Sequence, residues 1–279
     1  MQISDWTWKS SYDGLDMHAH GWAPEGAPKA VLVLVIGLGE HVGRYEHVGA
    51  MLTANGYALL GFDNRGHGKS GGPRGHSPCN EAFMQDIDSM RKQVDLRYPN
   101  VRQFLYGHSL GGLLALNYLL CRQPALAGAV VTAPALRAAL EEKKFKVLLV
   151  RVLGALLPSV SLASGLDADM LSHDSKVVEL YKHDPLVHDR VSFGMGKNLL
   201  EMSHWIFEHA GELNTPLLLM HGTEDKNAYC RGSQEFAEKA GDKVTLKLWD
   251  GLYHEIHNEP EQQQVFAYMI DWLGKHIQN

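Results

Sequence analysis

Residues 104–112 read Phe104-Leu105-Tyr106-Gly107-His108-Ser109-Leu110-Gly111-Gly112. An apolar run meets a serine with a glycine two residues to either side, the G-x-S-x-G pattern of a serine held on a sharp strand-to-helix turn. The turn strains the backbone and brings the following helix close to the strand. The flanking positions therefore favour residues without Cβ, here Gly107 and Gly111. The apolar run from Leu113 to Leu120 predicts the helix, whose first N–H groups would favour negative charge developing beside Ser109.

Outward from this stretch, short aliphatic runs recur at Ala30 to Ile36, Tyr57 to Phe62, Gln103 to Tyr106, Gly128 to Thr132, Leu217 to Met220 and Val244 to Trp249. Most are continuously apolar, as parallel strands buried on both faces are. Helical patterns lie between several of them, at Glu46 to Asn55, Asn80 to Tyr98, Leu113 to Arg122, Ser233 to Ala240 and Glu261 to His276. Alternation of this kind predicts a parallel α/β sheet with right-handed crossovers. Asp5 to Lys9 and Leu15 to Gly21 alternate apolar and polar residues around Tyr12-Asp13-Gly14 and read as a leading antiparallel hairpin. From about Leu136 to Leu213 the rhythm breaks into amphipathic helices with no credible strand. The division expected is a core at 1–135 and 214–279 with a cap, or lid, inserted at 136–213. The cap would cover the carboxyl edge of the sheet, where open α/β sheets bind ligands.

With 279 residues and 45% hydrophobic composition, the chain can bury one full core without a second domain. A net charge of −6 with dispersed basic residues excludes the electrostatic footprint of a nucleic-acid binder. His254-Glu255-Ile256-His257 lacks zinc-helix spacing, and no cysteines are spaced C-x-x-C, so neither metal nor other cofactor is expected. Cys79, Cys121 and Cys230 are odd in number and far apart, which suits free thiols in a reducing, cytoplasmic setting. The N-terminal residues carry no signal-peptide pattern. The apolar stretch Val147 to Val160 is broken by Arg151, Gly154 and Pro158, too short to span a bilayer but suited to transient contact with a membrane surface.

A serine hydroxyl is a weak nucleophile at neutral pH, so it needs a general base and a group that fixes the base's tautomer. The strand ending at Met220 leads into His221-Gly222-Thr223-Glu224-Asp225, and the strand ending at Trp249 leads into Asp250-Gly251-Leu252-Tyr253-His254. Asp225 is the preferred acid, with Glu224 its rival, and His254 the preferred base, with His257 its rival. His108 and His221 are read as structural. Asp63 is read as a turn-stabilising carboxylate, paired with Arg65 or with backbone N–H groups. The oxyanion requires two donors: the N–H of Leu110, directly after the nucleophile, and an N–H from Gly37-Leu38-Gly39-Glu40-His41, for which Leu38 is chosen.

Five segments together carry a resemblance: Gly37-Leu38-Gly39-Glu40-His41 with Arg44-Tyr45; Asp63-x-Arg65-Gly66-His67-Gly68-x-Ser70; Gly107 to Gly112; Gly222-x-x-Asp225; and Gly251-x-Tyr253-His254-Glu255. The chain resembles the monoacylglycerol lipase group of α/β-hydrolases, bacterial members included. The resemblance implies an α/β-hydrolase fold, a mostly parallel eight-stranded sheet with helices on both faces and a small helical cap. It also implies a triad of Ser109, Asp225 and His254, with oxyanion donors at Leu38 and Leu110. Ile36 stands where the group has a histidine that braces the oxyanion loop, so a loop without that brace is expected. Asn64 and Asn227 are polar where the group is more often apolar.

The function expected is a cofactor-independent carboxylic ester hydrolase acting on monoacylglycerols, as small acylglycerol-like substrates, and similar lipid-like or aryl esters, with Leu153 and Leu157 among the residues roofing the acyl chain. An aminopeptidase-type serine hydrolase is the enzymatic alternative, and a ligand-binding protein on a hydrolase scaffold is the non-enzymatic one.

Overall fold

The computed structural model describes residues 1–137 and 144–277. In chain order its elements are β1 (Gln2–Lys9), β2 (Asp16–Ala23), β3 (Val31–Val35), α1 (Glu46–Ala54), β4 (Ala58–Phe62), α2 (Asn80–Arg97), β5 (Gln103–His108), α3 (Leu110–Arg122) and β6 (Gly128–Thr132). They continue with α4 (Lys144–Leu156), β7 (Ser161–Ala163), α5 (Ser175–His183), β8 (Arg190–Ser192), α6 (Phe193–His209), β9 (Leu217–Gly222), α7 (Cys230–Ala240), β10 (Val244–Trp249) and α8 (Gln262–Ile277).

Eight strands form one sheet in the order β1-β2-β4-β3-β5-β6-β9-β10. Strands β3 to β6, β9 and β10 run parallel, and the hairpin β1–β2 joins antiparallel through β2 against β4. The central strands are apolar without interruption because each face is covered. Val31, Val33 and Val35 of β3 point into one apolar layer with residues of α2, α3 and α6, whereas Leu32 and Leu34 point into the other with residues of α1 and α8. The period of two along β5, β6 and β9 assigns their residues to the same two layers.

Where the sequence pattern showed no strand, β7 and β8 pair antiparallel, Ser161 with Ser192 and Ala163 with Arg190. Each is three residues long, and the partner lies across α5, so neither carries a local alternation to read. Asp63 is the turn-stabilising carboxylate expected, accepting from Val42 N at 2.7 Å and Lys69 N at 2.8 Å. Arg65 pairs instead with Asp86 and Asp13, because those carboxylates face its buried guanidinium. Among the described residues no helix is long and apolar enough to cross a membrane.

Candidate active site

Ser109 sits between β5 and α3 with φ of 54°, the left-handed region that L-residues rarely adopt. Packing holds it there. A Cβ at Gly111 would strike the Val35 carbonyl, and one at Gly107 would strike the Gly111 carbonyl, so only glycine lets α3 approach the strands this closely.

The structure brings the three residues expected on strand-end loops to one place. His254 Nε2 lies 2.9 Å from Ser109 Oγ, and His254 Nδ1 lies 2.6 Å from Asp225 Oδ2. A carboxylate can only accept, so Nδ1 carries the proton and Nε2 is left to accept from the serine hydroxyl. Glu224 is exposed to solvent, and His257 stacks on Tyr45 rather than meeting Ser109.

The surroundings tune both groups. Burial pushes the Asp225 carboxyl up, but the charge of His254 and hydrogen bonds from His221 and His254 outweigh it and leave Asp225 well below its ordinary value. Its Oδ1 accepts from Asn227 N at 2.8 Å and Ala228 N at 2.9 Å. Burial lowers His254, whereas the charge and hydrogen bond of Asp225 raise it further, and the net shift is upward. His108 is buried against Thr132 Oγ1 at 3.0 Å, and burial drives it far below the ordinary histidine range, so it stays neutral. His221, read from sequence as structural, also touches this relay: its Nε2 sits 3.0 Å from Asp225 Oδ2 and 2.8 Å from the Ala228 carbonyl, while its Nδ1 faces Ser233 Oγ at 2.7 Å.

Leu38 and Leu110 border the same cavity as Ser109 and His254. Leu110 opens α3, where first-turn N–H groups have no intrahelical acceptor. The loop bearing Leu38 does have a hydrogen-bonded brace, contrary to the expectation drawn from Ile36. Asn64 Nδ2 donates to the Ile36 carbonyl at 3.0 Å, and Glu40 Oε1 accepts from Gly37 N at 2.6 Å. The Ile36 side chain is fully buried in the apolar layer, so polar groups at positions 64 and 40 hold the backbone in its place.

Sequence reasoning missed an ionic bridge behind the site. Arg44 Nη1 donates to Glu40 Oε2 and to Glu255 Oε1, both at 2.7 Å, and Nη2 donates to Glu255 Oε2 at 2.8 Å. Glu40 also accepts from Tyr45 Oη at 2.8 Å. Burial pushes Glu255 up, yet the Arg44 guanidinium overrides this and holds it down to about 2. The bridge ties the loop after β3 to the loop carrying His254. Glu40, Arg44 and Glu255 all stand in segments that carry the resemblance, but nothing in the sequence pairs them.

Ser109 opens onto a cavity of about 510 Å³ whose walls include Leu113, Leu149, Val150, Leu162, Phe193 and Leu199. Leu153 and Leu157, expected to roof it, do not line it. Helix α4 lies against Phe193 and Lys197 of α6 at Gly154, which leaves Leu149 and Val150 at the cavity and Leu157 half exposed beyond the helix end. Among the described lining residues Lys226 is the one full charge, and none is a carboxylate. A crevice of about 10 Å³, room for about one water molecule, adjoins Ser109 between Leu38, Glu40, Arg44, Leu171, Tyr181 and Glu255.

Comparison with known proteins gives a consistent result. The family model described as serine aminopeptidase, S33, matches residues 26–261. An abhydrolase domain-containing protein of Dictyostelium discoideum is 40% identical over 92% of this chain, which spans 28% of that longer protein. Monoacylglycerol lipase of Mycolicibacterium smegmatis is 34% identical, covering 92% of both chains. The crystal structure of a monoacylglycerol lipase of Paleococcus ferrophilus superposes with a TM-score of 0.84 at 33% identity, over 99% of this chain and 100% of the other.

Proposed function

The chain is a serine ester hydrolase of the monoacylglycerol lipase-like α/β-hydrolase family, and from that premise we propose that it cleaves monoacylglycerols and similar lipid-like esters through Ser109, His254 and Asp225. The observation that carries the reading is the Ser109–His254–Asp225 relay, at 2.9 Å and 2.6 Å, opening directly onto the apolar cavity.

In this mechanism Ser109 Oγ attacks the acyl carbonyl as His254 Nε2 takes the hydroxyl proton, and the carbonyl oxygen becomes an oxyanion facing the N–H groups of Leu38 and Leu110. Collapse breaks the ester C–O bond, and His254 returns the proton to the leaving alcohol. The acyl-enzyme is then hydrolysed by water along the same path, His254 again moving the proton. Asp225 keeps Nδ1 protonated and stabilises the imidazolium formed in each half-reaction.

Segment 136–213, of which 138–143 lie outside the described residues, serves as the cap, its apolar residues receiving the acyl chain. The exposed Leu148, Val152, Leu156 and Leu157 beside the cavity support transient contact with a lipid surface. Free Cys79, Cys121 and Cys230 support a reducing, cytoplasmic setting. The aminopeptidase reading, which the description of the family model raises, requires a carboxylate to hold the substrate ammonium. The cavity offers none among its described residues, and Glu40 and Glu255 are taken up by Arg44.

The test is hydrolysis of p-nitrophenyl and monoacylglycerol esters of increasing chain length. Preference for medium or long acyl chains over acetyl is expected, with amino-acid p-nitroanilides left intact. Cleavage of the anilides with no ester turnover would replace this reading with the peptidase one.

A further inference from the structure

Four consecutive residues, Ala163 to Leu166, form part of the cavity wall, with a hydrogen bond inside the segment from Leu166 N to Ser164 Oγ at 3.3 Å. Gly165 adopts φ of +77° with nothing within 4 Å of a built Cβ, so neighbouring atoms do not clamp the middle of the segment. It is held at its ends. On one side Ala163 pairs with Arg190 in the β7–β8 ladder, and Ser164 N donates to the Asp189 carbonyl at 2.5 Å. On the other side the Asn227 side chain grips a single residue at both of its peptide groups. Its Oδ1 accepts from Asp167 N at 2.9 Å, and its Nδ2 donates to the Asp167 carbonyl at 3.0 Å.

Asn227 itself belongs to the loop of the acid, where its backbone N–H donates to Asp225 Oδ1. The same short loop thus fixes Asp225 with its main chain and the cavity wall with a side chain. An aliphatic residue at this position would keep the first function and lose the second. Downstream the chain is tied to the histidine loop, with Glu255 N donating to the Leu171 carbonyl at 2.8 Å, so Asn227 is the anchor nearest the wall on that side.

We propose that Asn227 is a positioning residue that sets acyl-chain-length preference by latching the wall segment at 163–166 to the acid loop. This rests on Ser109 being the nucleophile and the apolar cavity being the acyl site. A wall fixed at both ends packs against a long chain along its length, whereas a wall released at Asp167 yields and leaves part of that chain uncovered. A short acyl group bound close to Ser109 gains little from the wall either way.

The experiment measures kcat and KM on p-nitrophenyl acetate and decanoate for the wild type, Asn227→Leu, Asp167→Pro and the double variant. Asn227→Leu keeps the size of the side chain and removes both of its hydrogen bonds to Asp167, whereas Asp167→Pro removes the one that Asn227 Oδ1 accepts, together with the carboxylate that accepts from Asp169 N. Asn227→Leu should lose about tenfold more kcat/KM on decanoate than on acetate, chiefly through KM, the scale of one or two substrate methylenes returned to water. Asp167→Pro, which leaves Asn227 Nδ2 on the Asp167 carbonyl, should shift the ratio the same way by a smaller factor. The double variant should be no worse than the more affected single one, since both break the same latch. Equal losses on both esters, carried in kcat, would mean that Asn227 acts on Asp225 and would overturn the latch, as would no loss or additive losses. Should Asn227→Leu fail to fold, Asp167→Pro decides by the same ratio. A wild type without any preference for decanoate would sink the acyl-site reading and the latch together, whereas the other contrary outcomes sink the latch alone.

Discussion

At the scale of residues, the central asymmetry is that His254 is raised and Asp225 lowered by the same short contact. The neutral imidazole is the base, so a raised histidine loses activity at low pH earlier than an ordinary one does. We predict that kcat/KM rises with pH through one ionisation whose midpoint lies above the ordinary histidine value of 6.5, and a midpoint below it would contradict the geometry. Asp225→Asn should lower kcat on the order of 10⁴-fold by permitting the wrong tautomer of His254, while Glu224→Gln should leave it within about twofold. Ile36 makes a second test, because its loop is held by Asn64 and Glu40. Ile36→His should give no gain in kcat and should cost about 1–3 kcal/mol in urea denaturation, since the imidazole would enter an apolar layer without partners. Ser109, Asp225 and His254 were legible because a nucleophile motif and the order serine, acid, histidine leave traces in one dimension. The Arg44–Glu255 pair joins residues far apart in sequence, and neither partner announces the other.

At the scale of elements, the central parallel strands were readable because burial on both faces writes unbroken apolar runs, and β6 begins and ends where its run does. Helix α3 starts three residues earlier than its apolar run, at Leu110, because glycine at 111 and 112 lowers the helical signal while tertiary packing demands the helix there. The roof of the cavity was less legible. A mostly apolar stretch does not say which of its side chains turn inward, and that choice is made by α4 meeting α6 around Gly154. Leu199→Ala on α6 should therefore weaken hydrolysis of decanoyl esters more than acetyl esters, by roughly 0.8 kcal/mol in transition-state binding for each substrate methylene left uncovered. Leu157→Ala, outside the cavity, should leave the ratio of the two unchanged with dispersed esters. A larger change in that ratio for Leu157→Ala than for Leu199→Ala would mean that the acyl path runs over the outer side of α4.

At the scale of the whole molecule, the sheet delivers three strand ends to one edge, and long-range polar bridges lock the loops that follow them. The Glu40–Arg44–Glu255 bridge is almost wholly buried behind the site, so removing its cation should be felt by the entire fold. Arg44→Met should lower stability by about 3–5 kcal/mol, read from urea denaturation, because two carboxylates would stay buried without a counter-charge. A loss below about 1 kcal/mol would show that water reaches them. Ester hydrolysis by this chain depends on Ser109 being an activated nucleophile at the mouth of the apolar cavity. The most direct measurement of that activation is peptide mass spectrometry of the protein after brief exposure to a fluorophosphonate with a medium-length alkyl chain. One adduct per chain on Ser109 is predicted, formed far more slowly in His254→Ala and absent in Ser109→Ala. A folded wild type left unmodified, or modified at another serine while Ser109 stays free, would contradict it.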